Sequence, residues 1–448
     1  MQPTIKGIYK QVIPSFILLL FFGQVNSFAQ ATTAVPDTNF EQALINLNID
    51  TNGLNGTILN SDAVGVYYLN VSNQYIQDLS GIEAFTSLKK LNCSYNLLSS
   101  LNISQNSHLE ELNANDNNIN SIDLSQNTKL HKVQISANQL TAIDVSANFS
   151  LEELSVSLNN LTALDVSGNS SLEFLGCYAN QLETLDLLNN SQLKYLHVDF
   201  NALDELDVSQ NFNLKTLSCS NNNLNNLPIA PNTELSYLDC RNNNLTNLDI
   251  VTNTDLKRLF ISDNNISEID LSNAPGLLLF YARFNNLVSL DISNNSYLRW
   301  IKCEGNNLSM VDFRNGNNSH ISEFVMSQNN NLSCIYVDDA EASFLDNWII
   351  DDVSAFVENE SDCEALSVYE ANEFTFQMFP NPATEQVTVS IKTKNATFEL
   401  YSIKGQLIHS QKLSFGTNYV PLNKLSSGLY LVKIMTESTS ETKKLLLN

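Results

Sequence analysis

One asparagine, returning every 21 residues, constrains this chain more than any other feature. It stands at Asn96, Asn117, Asn138, Asn159, Asn180, Asn201, Asn222, Asn243, Asn264, Asn285 and Asn306, and once more, after a step of 23, at Asn329. A second motif is phased inside the first: Asp123-Leu124-Ser125-x-Asn127, then Asp144-Val145-Ser146-x-Asn148, and so on to Asp291-Ile292-Ser293-x-Asn295. A unit this short cannot bury its apolar side alone, so the period requires stacked coils, each packed against its neighbours. Because side chains alternate along a strand, two residues per coil point inward. They run from Leu91/Cys93 through Leu175/Cys177, Leu217/Cys219 and Leu238/Cys240 to Ile301/Cys303. Five of the seven cysteines therefore share one phase with Ala, Val and Ile, and read as small buried hydrophobes.

The repeating unit Leu-x-x-Leu-x-Cys/Leu-x-x-Asn-x-Leu-x-x-Leu-Asp-Val-Ser-x-Asn resembles the short bacterial leucine-rich repeat with nested periodicity. The resemblance covers residues 88–329 and implies a mostly β solenoid that binds partners on its outward sheet face. It fixes architecture and not ligand, because repeat scaffolds serve many partners. The first four coils place bland polar residues outward. Later coils add Phe174, Tyr178, Tyr195, His197, Tyr237, Arg241, Arg258, Phe260, Tyr281, Arg283 and Trp300. Strands stack at about 4.8 Å, so these side chains share one face. Aromatics beside arginines are the composition of a binding hot spot for protein or glycan. The same rings could instead zip adjacent strands together.

The second phase carries a row of carboxylates: Asp123, Asp144, Asp165, Asp186, Asp207, Asp249, Asp270, Asp291 and Asp312, broken by Pro228. Charges stacked about 5 Å apart repel, unless neighbouring groups bond them or cations bridge them. Ser125, Ser146, Ser167 and Ser209, two residues on, favour hydrogen bonding over a calcium ladder.

Residues 1–29 read as a secretory signal: Lys6 and Lys10, an apolar run from Val12 to Phe22, and a cleavage site after Ala29. The run falls short of the roughly 20 apolar residues that a spanning helix needs, so no membrane span is expected. Residues 30–87 form an N-terminal cap. Thr38 with Glu41 reads as a capping box, with Phe40, Ala43, Leu44 and Leu47 as the apolar stripe of a short helix. The stretch Asp50-Thr51-Asn52-Gly53-Leu54-Asn55-Gly56 resembles a calcium loop only faintly. Its fifth position is Leu54 and no Glu closes it, so it reads as a polar turn. Residues 330–367 form a C-terminal cap, where Cys334 and Cys363 lie off the ladder phase and would pair in an exported chain.

Composition shifts in residues 374–448, where lysines and alternating strands appear. Phe379-Pro380-Asn381-Pro382-Ala383, Leu400-Tyr401-Ser402-Ile403-Lys404-Gly405-Gln406 and Leu425-Ser426-Ser427-Gly428-Leu429-Tyr430-Leu431-Val432-Lys433 closely resemble the type A C-terminal sorting domain of the type IX secretion system. The resemblance implies a small immunoglobulin-like β-sandwich, handling by the type IX machinery, removal of the tail near Glu370 to Phe374, and a secreted or surface-displayed product.

A formal charge of −25 argues against nucleic acid as a partner. The chain has no phosphate loop and no nucleophile elbow, and its five histidines are scattered without zinc spacing. No cofactor, catalytic residue or metal ligand is expected. The reading is a non-catalytic binding protein. A structural or adhesive surface component without a discrete ligand is the alternative, and a hydrolase or an accessory to one ranks last.

Overall fold

In the computed structural model, residues 30–372, 376–436 and 439–448 are described. The expected export signal lies outside them. The chain divides into two compact units, residues 1–148 and 149–448.

The first unit opens with a small lid. Strands β1 (Thr32–Ala34) and β2 (Thr57–Leu59) pair antiparallel, and between them runs α1 (Thr38–Asn46). The helix forms where expected, but its cap differs. Asp37, not Thr38, is the N-cap, and its carboxylate accepts the backbone N–H groups of Asn39 and Phe40. An aspartate satisfies these orphan donors and adds a favourable charge at the positive helix end. Glu41 is thereby free to turn inward, where its Oε1 accepts the N–H groups of Asn55, Gly56 and Thr57. Phe40, Ala43 and Leu44 are buried, but Leu47 is not, because the helix has ended at that residue. After α2 (Asn60–Ala63), four short parallel strands stack in register: β3 (Tyr68–Asn70), β4 (Lys90–Asn92), β5 (Glu111–Asn113) and β6 (Lys132–Gln134).

Within the second unit, parallel strands stack in the same manner, from β7 (Glu153–Ser155) through β8 (Phe174–Gly176), β9 (Tyr195–His197), β10 (Thr216–Ser218), β11 (Tyr237–Asp239), β12 (Arg258–Phe260) and β13 (Leu279–Tyr281). The side row gains a strand of its own at β14 (Ser289–Asp291); the main sheet goes on with β15 (Trp300–Lys302), the side sheet with β16 (Met310–Asp312), and β17 (Glu323–Val325) ends the main sheet. Each partner is one coil away, so Leu217 sits beside Leu238 and Leu238 beside Leu259. Every inward ladder residue named above is buried, the five cysteines included. Burial pushes the thiols of Cys93 and Cys177 up to about 12, and those of Cys219, Cys240 and Cys303 up as well. They carry no thiolate at neutral pH and serve as packing atoms.

The asparagines close each turn. Asn222, which is buried, donates from Nδ2 to the carbonyls of Val198, Cys219 and Ser220, and its Oδ1 accepts the N–H of Leu203. It thus satisfies backbone groups of its own coil and of the one before. A second buried row repeats the donating half of this arrangement. Asn211 donates to the carbonyls of Leu187 and Asn190.

The carboxylate row is held locally. Asp123, Asp144 and Asp207 each accept the N–H of the serine two residues on, and Asp186 and Asp249 accept that of Leu188 and Val251. The constant donor is therefore the backbone amide, in an Asx turn, with the serine hydroxyl as an addition where present. Bonds from Ser125, Ser146, Ser209 and Ser272 hold Asp123, Asp144, Asp207 and Asp270 below the usual carboxylate value of 3.8. A carboxylate with a depressed folded-state pKa stabilises the fold above its unfolded value and stops doing so as pH falls through the folded one. The melting temperature should therefore be insensitive to these groups at neutral pH and decline once pH drops below 3.8, which a melting series across acid buffers would show.

Strands β18 (Cys334–Tyr336) and β19 (Ala355–Val357) extend the side sheet, and α3 (Glu360–Asn372) follows. The expected disulfide joins Cys334 to Cys363, with Cα atoms 5.9 Å apart, and staples the helix start to β18. Trp348 stacks on Phe324 at 4.0 Å and closes the end of the core.

The tail makes two antiparallel sheets. Its strands are β20 (Gln377–Phe379), β21 (Gln386–Ile391), β22 (Ala396–Ser402), β23 (Leu407–Leu413), β24 (Gly416–Pro421), β25 (Gly428–Met435) and β26 (Ser440–Leu447). One sheet has the order β20-β21-β24 and the other β23-β22-β25-β26. Their shared core, including Phe376, Val389, Phe398, Val420, Val432 and Leu445, draws on residues 376–447 alone.

Candidate functional site

The parallel register places the outward residues of β8 to β15 on one wall in the second unit. Phe174, Tyr195, Tyr237, Arg258 and Trp300 begin their strands; His197, Phe260 and Tyr281 end theirs. Tyr178, Arg241 and Arg283 lie two residues past a strand end. These residues come from distant parts of the sequence and meet only because each coil returns the chain to the same line.

The wall has two textures. In one, rings and cations lock to each other across strands. Phe260 packs at 5.5 Å from Tyr237 and 5.4 Å from Tyr281, and Phe174 lies 5.7 Å from His197. The guanidinium of Arg241 sits 5.0 Å over Phe260 while Nε and Nη2 donate to both carboxylate oxygens of buried Asp239, at 2.9 and 2.6 Å. Arg283 pairs with Glu304. Lys302 pairs with Glu323 at 2.8 Å and covers the Tyr281 ring at 5.1 Å. Two of the three expected arginines are thus neutralised by acids. Here the zipper reading describes the contacts well.

The other texture is open. Tyr178, Tyr195 and Trp300 keep 38%, 42% and 39% of their surface exposed, and make no ring contact among the described residues. Arg258 is exposed and forms no ion pair among the described residues. His197 is held below its usual pKa of 6.5 by burial, against the pull of Asp199, so it is neutral at pH 7. Asp199 is engaged elsewhere, accepting Ser218 Oγ at 2.5 Å and Ser220 Oγ at 2.8 Å.

A further column borders the wall. The residue before each first-row Asn has a left-handed backbone, and at that position Phe200 (φ 53°) and Phe284 (φ 48°) are exposed. Asn or Gly suits this conformation, as at Asn221, Asn242 and Gly305, whereas a bulky ring there is strained. Phe284 lies over Gly305, where an added Cβ would come within 2.5 Å of the ring. Strand alternation does not reach this column, because it lies at the turn. The signal in the sequence was a phenylalanine where the turn calls for Asn or Gly.

The coils are those of known structures. The functional domain of InlJ from Listeria monocytogenes, whose description records a cysteine ladder, is 23% identical with a TM-score of 0.61, over 93% of this chain and 99% of that one. An internalin, InlF, from Listeria monocytogenes is 20% identical with a TM-score of 0.54, over 75% of this chain and all of that one. A TDR receptor is 21% identical with a TM-score of 0.57, over 67% of this chain and 57% of that one. The solenoid is a leucine-rich repeat. At these identities the likeness concerns the fold alone. No curated protein matches the chain. Residues 377–448 match the family described as the secretion system C-terminal sorting domain. The leucine-rich-repeat protein therefore carries the mark of type IX secretion and cell-surface attachment. Among the described residues no helix is long and apolar enough to cross a membrane.

Proposed function

We propose that the chain is a non-catalytic recognition protein, and that its ligand, a protein or a glycan, lies across the wall from Phe174 to Trp300. The observation that carries this reading is the set of exposed rings, Tyr178, Tyr195 and Trp300, on the same sheet face as Arg258, which forms no ion pair among the described residues. Large rings held ready in contact with water cost little further entropy on binding, and their faces suit a sugar ring or an apolar side chain. The locked group around Phe260 serves as the rigid floor between them. The internalin and receptor likenesses support a binding role for the scaffold by analogy of fold.

A structural or adhesive component without a discrete ligand is the second reading, favoured by the Tyr237–Phe260–Tyr281 ring contacts. Probing glycan and protein arrays with the purified mature protein separates the two. Saturable capture of one chemical class supports recognition; uniform background across both arrays supports the structural reading.

A further inference from the structure

The lid of the first unit holds more negative charge than its own residues can balance. Between Gln30 and Leu88 the sequence has six carboxylates, Asp37, Glu41, Asp50, Asp62, Asp78 and Glu83, and no lysine, arginine or histidine. Three of them gather round the turn at residues 50–57. Glu41 and Asp62 are served by protein donors. Glu41 takes three backbone N–H groups, and Asp62 Oδ2 accepts Thr51 N at 2.9 Å and Thr51 Oγ1 at 2.7 Å.

Asp50 is different. It is 5% exposed, its Oδ1 accepts the N–H of Asn52 at 3.0 Å, and its Oδ2 is closed to water with no hydrogen-bond partner. Asn52 Oδ1 is in the same condition, while its Nδ2 donates to Thr57 Oγ1 at 3.1 Å. Buried amide oxygens without a donor recur in the repeat, as at Asn211 and Asn232, but Asp50 is the one aspartate among the described residues in that condition. Burial raises the Asp50 pKa above 3.8, and Glu41 and Asp62 add to this against the N–H groups of Asn52 and Gly53.

A hard cation accounts for both atoms. Calcium takes carboxylate, amide and carbonyl oxygens at about 2.3–2.6 Å and would give each of these acceptors a partner. Gly53 and Gly56, with φ of +80° and +79°, give the turn its left-handed bends. Among the described residues no three His, Cys, Asp or Glu side chains form a metal group. A cation here would therefore rest on one carboxylate together with neutral oxygens. We propose that Asp50 and Asn52 bind a calcium ion in the N-terminal lid, with the charge of Glu41 and Asp62 drawing it in. The turn works without the acidic fifth position and closing Glu that a helix–loop–helix calcium site uses.

The test is calorimetric titration of calcium chloride into the chelator-stripped full chain, paired with melting curves, for wild type, Asp50→Asn and Asn52→Asp. Wild type should bind one more calcium equivalent than Asp50→Asn, with Kd on the order of 10⁻⁴ M as in extracellular modules. Asn52→Asp should bind about tenfold tighter and melt below wild type in chelator, since an added acid strengthens the site and worsens the uncompensated repulsion. The same stoichiometry and melting response in all three proteins would overturn the proposal. So would an Asp50→Asn variant that melts above wild type with or without calcium, because that is what a protonated Asp50 donating to Asn52 predicts. If Asp50→Asn does not fold, Asn52→Asp decides alone: a calcium response no stronger than wild type's would refute the site.

Discussion

Replacing Asn222 with alanine is expected to destabilise the solenoid by about 3 kcal/mol, the largest effect foreseen for any single side chain of the repeat. The cause is what alanine leaves behind. Asn222 is 8% exposed, and its amide serves the carbonyls of Val198, Cys219 and Ser220 and the N–H of Leu203. Alanine strands these groups where water cannot reach them, and an unmet buried polar group costs roughly 1–3 kcal/mol. Because each coil touches only its neighbours, the damage should be local, with hydrogen exchange speeding up in the coils around β9 to β11 and little elsewhere. Asn223→Ala, next along the chain, is the control. That side chain is exposed, with one 3.5 Å contact to the Ala202 carbonyl, and its loss should change the melting temperature little. Equal effects of the two substitutions would contradict the role given to the buried row.

Deleting residues 374–448 should abolish surface display, leaving the solenoid folded in the periplasm. The tail's apolar core is built from residues 376–447 alone, so its removal takes no buried side chain from the coils. The family match at residues 377–448 assigns it to sorting. Fractionation of expressing cells would check this, with circular dichroism of the trapped product to show that the coils are intact. Undiminished surface display of the shortened chain would refute the sorting role.

The repeat made most of this legible before any coordinates. Strict period forces every copy of a position into one environment, so inward Leu217 and outward Tyr237 could be assigned by counting. Cys334 and Cys363 stood out for the same reason, being out of phase. The lid was less readable. Asp37 and Thr38 both qualify as caps, and only the fold shows that Glu41 is needed inside to hold Asn55, Gly56 and Thr57. On the wall, residue types could be placed but not their pairings. That Arg241 is spent on Asp239, whereas Arg258 is free of acids among the described residues, depends on rotamers and on which neighbour is nearer. Phe200 and Phe284 were missed because the left-handed turn that displays them lies outside strand alternation.

Once an array supplies a ligand, the central claim rests on a variant with Tyr178, Tyr195 and Trp300 all changed to serine. Among the described residues these rings lean on no other ring, so the melting temperature should move by only a few degrees. The ligand's Kd should rise at least about a hundredfold, the loss of two or more hot-spot side chains. An unchanged Kd in a folded variant would contradict recognition by this wall.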